Sequence, residues 1–335
     1  MGEARAMRPM SEPQAALRQA QGAGQAQGAG QAQGAGQAQG AGQARNTRPG
    51  SVWRFDAIGT VWEIETSAVL SPVARLAVQS LIAAFDADWS RFRPDSLVSS
   101  LARGAGVMPA PPDTADMLDA YVALSDATDG AVNPLVGESL ERLGYDADYT
   151  LRPVGGPVAA PRDWREQLAW TEERMLLTSP ALIDVGALGK GRLVDRVLEV
   201  VAQWTEGDVV VDAGGDLVAR GAPVRIGLEH PYDLTRAIGV IELRDGALCA
   251  SAANRRAWGD GLHHVLDART GEPVRTVVAT WAVASTAMRA DAIATALFFD
   301  GGDRLAHEWG VEWVRMLSDG RVEYSPGSPA ELFTR

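Results

Sequence analysis

Between Gln19 and Ala44 the chain repeats Gln-Ala-Gln-Gly-Ala-Gly, without an aromatic or β-branched residue. Such a stretch cannot bury enough apolar surface to offset the entropy of ordering it, so residues 1–50 are expected to be a disordered low-complexity tail. That tail carries Arg5, Arg8, Arg18, Arg45 and Arg48 against Glu3 and Glu12, a net charge of +3. The remaining residues, 51–335, carry −15 and have the composition of a folded domain. No run approaches the roughly 18 apolar residues of a membrane span. The overall charge of −12 speaks against broad, non-specific binding to nucleic acid. No apolar signal region or lipobox-like cysteine stands near the start, so a cytoplasmic setting is expected. The single cysteine, Cys249, excludes an intrachain disulfide and a cysteine-built zinc site.

Hydrophobic periodicity divides the folded part into both element types. Val52–Thr66 alternates and predicts a strand pair about Gly59. Pro72–Phe85 predicts an amphipathic helix with Val73, Leu76, Ala77, Leu81 and Ile82 on its apolar face. Helices are also predicted over Thr114–Thr128, Arg192–Trp204 and Asp291–Phe299. Leu182–Val185, Val209–Val211, Val224–Leu228, Ile238–Leu243 and Val277–Val283 predict strands, and Gly214-Gly215 a turn. Strands and helices mix without strict alternation, which favours an α+β fold over a doubly wound sheet.

Of the 31 basic residues one is a lysine, Lys190. In a chain that otherwise uses arginine, a lone lysine suggests a place for a compact ammonium, or chance survival. It lies in Asp184-Val-Gly-Ala-Leu-Gly-Lys-Gly191, between a predicted strand and a helix. Glycines allow backbone amides close to a ligand, and a helix N-terminus favours phosphate oxygens. The segment is no Walker A motif, because its Gly-to-Lys spacing is short and Gly191 stands where a magnesium-binding hydroxyl belongs, and a dinucleotide-binding fingerprint fails because GxGxxG is absent. A tight turn with a solvated lysine reads equally well. Asp291 and Thr295, four apart, share a helix face and together suit magnesium, although Asp291 could instead cap the helix. His263 and His264 are adjacent and point to opposite sides of a strand, so at most one enters a given site and a zinc pair is disfavoured. Ser90–Ser96 (SRFRPDS) and Asp129–Pro134 (DGAVNP) read as turns after helices.

In order along the chain, Ile58-Gly59-Thr60, SRFRPDS, DGAVNP, DVGALGKG, the Ala213–Asp216 AGGD, HHVLDARTG and ADAIAT resemble the ApbE family of flavin transferases. The resemblance runs from about Ile58 to Thr295. It implies a single T-fold-related α+β domain with mixed sheets and flanking helices. It also implies cleavage of FAD and transfer of FMN to a threonine or serine hydroxyl of an acceptor protein, releasing AMP. Magnesium would be held by the Ala187 carbonyl, the Asp291 carboxylate and the Thr295 hydroxyl. FAD would be contacted at Ile58, Phe92, Ala131, Val132, Asn133, Asp184, Lys190 and Val265, with His264 as base for the incoming hydroxyl. The chain departs from the family pattern at Ile58 (often methionine), at Asn133-Pro134 and Asp267-Ala268 (usually Asp-Pro), and at Ala102, where an asparagine is common. The last change bears on the balance between protein transfer and FAD hydrolysis. A flavin-binding protein without catalysis is the remaining alternative.

Overall fold

The computed structural model describes residues 50–333. The expected tail, at 1–49, lies outside the described residues. An antiparallel sheet of eight strands runs through the molecule: β1 Ser51–Ala57, β2 Thr60–Thr66, β3 Val209–Ala213, β4 Asp216–Arg220, β5 Gly246–Ala252, β6 Val277–Ala284, β7 Glu312–Leu317 and β8 Val322–Tyr324. Their order in space is their order along the chain, so the sheet is a meander with long insertions in its connections. The β2–β3 connection carries helices α1 Pro72–Trp89, α2 Leu97–Arg103, α3 Thr114–Ala127 and α4 Gly189–Ala202. Helices α5 Ala287–Ala296 and α6 Gly302–Glu308 lie between β6 and β7. A second sheet of three strands, Val224–His230, Asp233–Leu243 and Ala330–Leu332, covers the other face.

The continuous run Val209-Val210-Val211 follows from this layering. Val209 and Val211 join the core beneath the helices, whereas Val210 points to the second sheet with Leu217, Leu248 and Trp281. A strand covered on both faces needs no polar side. Among the described residues no helix is long and apolar enough to cross a membrane.

Three sequence expectations require correction. Helix α1 buries Ala74, Val78, Ile82 and Trp89, while Val73 and Leu76 are 61% and 62% exposed. Two apolar stripes overlap in this helix, and the one that brings Trp89 into the core prevails because an indole buries the most surface. Leu182–Val185 is not a strand. Ile183 is buried, but the Asp184 N–H donates to Pro134 O (2.8 Å) in a loop, outside any ladder. A short buried apolar run cannot be told from a strand by periodicity. Finally, α5 begins at Ala287 with Thr286 as its cap, so Asp291 lies inside the helix rather than capping it.

Helices α4 and α5 are tied by a side chain acting at the end of another helix. Asp195, on α4, accepts from Ala287 N (2.7 Å) and Met288 N (2.9 Å), two of the amide donors that the start of α5 leaves unpaired. Asp195→Ala strands both in a buried setting and is expected to cost about 2–4 kcal/mol. Chemical denaturation checks this; a loss below about 0.5 kcal/mol would show that water or a shifted helix replaces the carboxylate.

Candidate active site

The start of α4 and the middle of α5 approach until backbone meets backbone. A Cβ at Gly191 would stand 2.3 Å from Ala287 O and 2.7 Å from the Asp291 Cβ. With hydrogen there instead, Gly191 N donates to Asp291 Oδ2 at 2.9 Å. One turn further along α5, Thr295 Oγ1 donates to Ala187 O at 3.2 Å. The Ala187 carbonyl, the Thr295 hydroxyl and the Asp291 carboxylate are thus gathered from segments about a hundred residues apart. Among the described residues no group of three His, Cys, Asp or Glu side chains is placed to hold a metal. The donor set here is instead carbonyl, carboxylate and hydroxyl, the hard-oxygen chemistry that suits magnesium.

Lys190 points from the first turn of α4 toward the β3–β4 hairpin. Its Nζ lies 2.6 Å from Asp216 Oδ2 and donates to Ala213 O at 3.1 Å. Burial favours the neutral amine, but Asp216 and Asp291 outweigh it and hold the ammonium above its usual pKa. Asp291 is raised well above the ordinary carboxylate range by burial and then by the Asp216 charge. Asp216, Asp291 and the neighbouring Asp212 therefore act on one ammonium, and a divalent cation would relieve the excess of acidic groups.

Asp184 anchors a neighbouring network. Its Oδ2 accepts from Arg91 Nε (2.5 Å), its Oδ1 from Gly186 N (2.7 Å), and its carbonyl from the Tyr121 hydroxyl (2.9 Å). The Arg91 side chain is buried, donates to Tyr145 O at 2.7 Å and lies over the Phe92 ring at 4.1 Å. Tyr149 stacks on Phe92, with ring centroids 4.7 Å apart and an interplanar angle of 8°. The Phe92 ring thus contacts both an arginine and a tyrosine. Tyr149 also reaches the β1–β2 turn, where its hydroxyl is 3.7 Å from the Cβ position of Gly59. Both turn residues are left-handed, with φ of 44° at Ile58 and 75° at Gly59, a strained conformation for a β-branched side chain. Beside Ile58 opens a cavity of about 320 Å³ that Asp56, Asp86 and Arg93 also line.

The DGAVNP and HVLDA segments meet where Ala268 N donates to Ala131 O at 3.0 Å. Ala131, Val132 and Val265 are buried there. Asn133 spends its side chain internally, accepting from Leu135 N and donating to Pro161 O, both at 2.9 Å. The two histidines separate in role. His263 bonds Val274 O through Nε2 (2.7 Å) and accepts from Val265 N through Nδ1 (3.3 Å). His264 leaves Nδ1 without a hydrogen-bond partner. Burial, then the Arg256 charge, lower its pKa well below the usual value, so the ring is neutral at pH 7 and can accept a proton.

The sequence model of the ApbE family matches residues 58–314. The chain belongs to the ApbE family. An FAD:protein FMN transferase of Rhodobacter capsulatus is 28% identical over 304 residues, which cover 83% of this chain and 57% of that protein. The chain thus spans little more than half the length of that relative. A protein of the same name from Treponema pallidum is 27% identical over 70% of this chain and 74% of its own. The ApbE protein of Thermotoga maritima has the same fold, with a TM-score of 0.72 at 24% identity, covering 83% of this chain and 97% of that one. Vibrio cholerae flavin transferase ApbE gives a TM-score of 0.68 at 22% identity, over 83% and 98%.

Within this ApbE chain, the predicted Ala187, Lys190, Asp291 and Thr295 converge on the α4 and α5 contact. Ile58, Phe92 and Asp184 join through Tyr149 and Arg91. Arg91, Tyr121, Tyr145, Tyr149, Asp216 and Arg256 were not among the predicted site residues. Asp216 carried a readable signal, a carboxylate directly before the apolar Leu217-Val218-Ala219 and just after a Gly-Gly turn. The tyrosines carried none, because a tyrosine in an apolar helix or loop reads as ordinary packing.

Proposed function

We propose that the protein is a magnesium-dependent FAD:protein FMN transferase that links FMN through a phosphoester bond to a threonine or serine of an acceptor protein. The observation that carries this reading is the set of Ala187 O, Thr295 Oγ1 and the Asp291 carboxylate beside the chain's one lysine. FAD is the substrate, contacted at Ile58, Phe92, Ala131, Val132, Asn133, Asp184, Lys190 and Val265. Asn133 would act through its backbone, because its side chain is engaged. Magnesium bound by Ala187, Asp291 and Thr295 would neutralise the pyrophosphate and stabilise charge developing in the transition state.

The remaining work falls to the chain's own groups. Lys190 places a positive charge at the helix N-terminus, where phosphate oxygens bind. Neutral His264 accepts the proton of the acceptor hydroxyl as its oxygen bonds to the FMN phosphorus. The pyrophosphate P–O bond breaks and AMP departs with that bond's electron pair. The test is to incubate the protein with FAD, magnesium and a threonine-containing acceptor. Release of AMP with a flavin-sized mass gain on the acceptor supports transfer. AMP without the mass gain identifies a hydrolase, and neither product identifies a flavin binder.

The depressed His264 pKa sets an expected pH dependence. The base is charged, hence inactive, only when the pH falls through its folded-state pKa, which lies well below 6.5. Transfer should therefore hold its rate from pH 7 to below 6.5 before an acid limb appears. His264→Ala should lower the rate by roughly 10²- to 10⁴-fold. A wild-type acid limb centred at or above pH 6.5 would exclude His264 as the base.

A further inference from the structure

Lys190 has three N–H donors and a flexible stem of four carbons, so its direction must be imposed by its surroundings. Both groups that meet its ammonium come from a single two-residue turn. β3 ends at Ala213 and β4 begins at Asp216, joined by Gly214 and Gly215 at φ of 64° and 111°. That left-handed pair requires glycine, and Gly214 packs so closely on Thr60 that a Cβ would stand 2.0 Å from its hydroxyl. The hairpin therefore presents the Ala213 carbonyl and the Asp216 carboxylate together, 3.1 Å and 2.6 Å from Nζ. The Asp216 side chain is 1% exposed and that of Lys190 is 23% exposed. With the Ala213 carbonyl and the Asp216 carboxylate engaged, one of the three ammonium donors is left for a ligand.

We propose that Asp216 is a positioning residue that aims Lys190 at the ligand pyrophosphate. The proposal rests on the assignment of Lys190 as an FAD contact in the transferase reading. A carbonyl alone cannot perform the task, because it leaves a buried ammonium without a counter-charge. The other carboxylates acting on Lys190 are Asp291 and, on β3, Asp212. Without Asp216 the lysine would turn to one of these carboxylates and be withdrawn from the ligand.

The test is a double-mutant cycle on the full chain, read as FAD affinity by flavin fluorescence quenching in the presence of EDTA. Turnover does not enter this measurement. Lys190→Met and Asp216→Asn should each weaken FAD binding by roughly tenfold or more, the worth of a charge-assisted hydrogen bond. If Asp216 acts through Lys190, the double variant should bind within about twofold of Lys190→Met. Multiplying losses overturn the proposal, as does wild-type affinity in Asp216→Asn. Weak binding by Asp216→Asn beside unchanged binding by Lys190→Met also overturns it, because Asp216 then acts through another group. Melting curves verify folding, and should Asp216→Asn not fold, Asp216→Ser takes its place with the same expected outcomes. Absence of AMP release by the wild type would reject the transferase reading while leaving the outcome of this cycle intact.

Discussion

Asp291→Asn is expected to reduce FAD cleavage in magnesium by roughly 10³-fold or more while making the metal-free protein more stable near neutral pH. The activity loss follows from removing the one charged oxygen of the proposed magnesium set, a group worth several kcal/mol of charge stabilisation. The stability gain follows from the electrostatics around Asp291 when magnesium is withheld. Burial and Asp216 raise the Asp291 carboxyl well above its unfolded value of 3.8. The folded state therefore holds this proton more tightly than the unfolded chain does. As pH rises from about 4 through the raised pKa, the ionising carboxylate opposes folding, and it continues to do so above that value. Each unit of the rise corresponds to about 1.4 kcal/mol. Asparagine keeps an oxygen for Gly191 N but carries no charge, so its advantage over the wild type should grow with pH and then level off. Melting temperatures of both proteins in EDTA from pH 4 to 8 check this. Magnesium should then stabilise the wild type and not the variant. A variant less stable than the wild type across the whole range would overturn the electrostatic argument, and one that turns FAD over at the wild-type rate would remove Asp291 from the metal site.

Gly191→Ala is expected to destabilise the fold by about 3 kcal/mol and to remove activity with it. The obstacle is steric, because the new methyl would meet the Ala287 carbonyl at 2.3 Å and the Asp291 Cβ at 2.7 Å. Neither is the movable end of a flexible side chain. Relief requires separating α4 from α5, which strains the Gly191 N to Asp291 Oδ2 bond and the Asp195 contacts to the start of α5. Gly156→Ala is the control, since nothing stands within 4 Å of its Cβ position, and it should change stability by less than about 0.5 kcal/mol. Denaturant unfolding of the two variants decides between steric contact and generic glycine chemistry. Equal, small losses in both would mean that the helices part easily. The same geometry explains why this glycine-rich loop has no hydroxyl residue after its lysine: a Ser or Thr at position 191 would collide with α5.

What the sequence alone determined was local or compositional. It placed the hairpin about Gly59, located the four longest helices, and singled out Lys190 and Asp291–Thr295 as candidates through rarity and spacing. Those features depend on a few neighbouring residues, so a linear reading reaches them. It misjudged the exposed Val73 and Leu76, the loop at Leu182–Val185 and the start of α5, because each depends on what packs opposite. Asp216 and Arg91 lie in motifs that the sequence singled out, but their partners, like the place of Tyr149 in the candidate site, emerged only from the tertiary structure. Asp216 meets Lys190 because β3 and β4 run beside the start of α4, and Arg91 meets Asp184 across 93 residues of chain. The separate fates of His263 and His264 were decided the same way, by Val274 O meeting one ring and Arg256 lying near the other. Burial and charge proximity are properties of the folded neighbourhood, and they turn a carboxylate, an ammonium and an imidazole into a site.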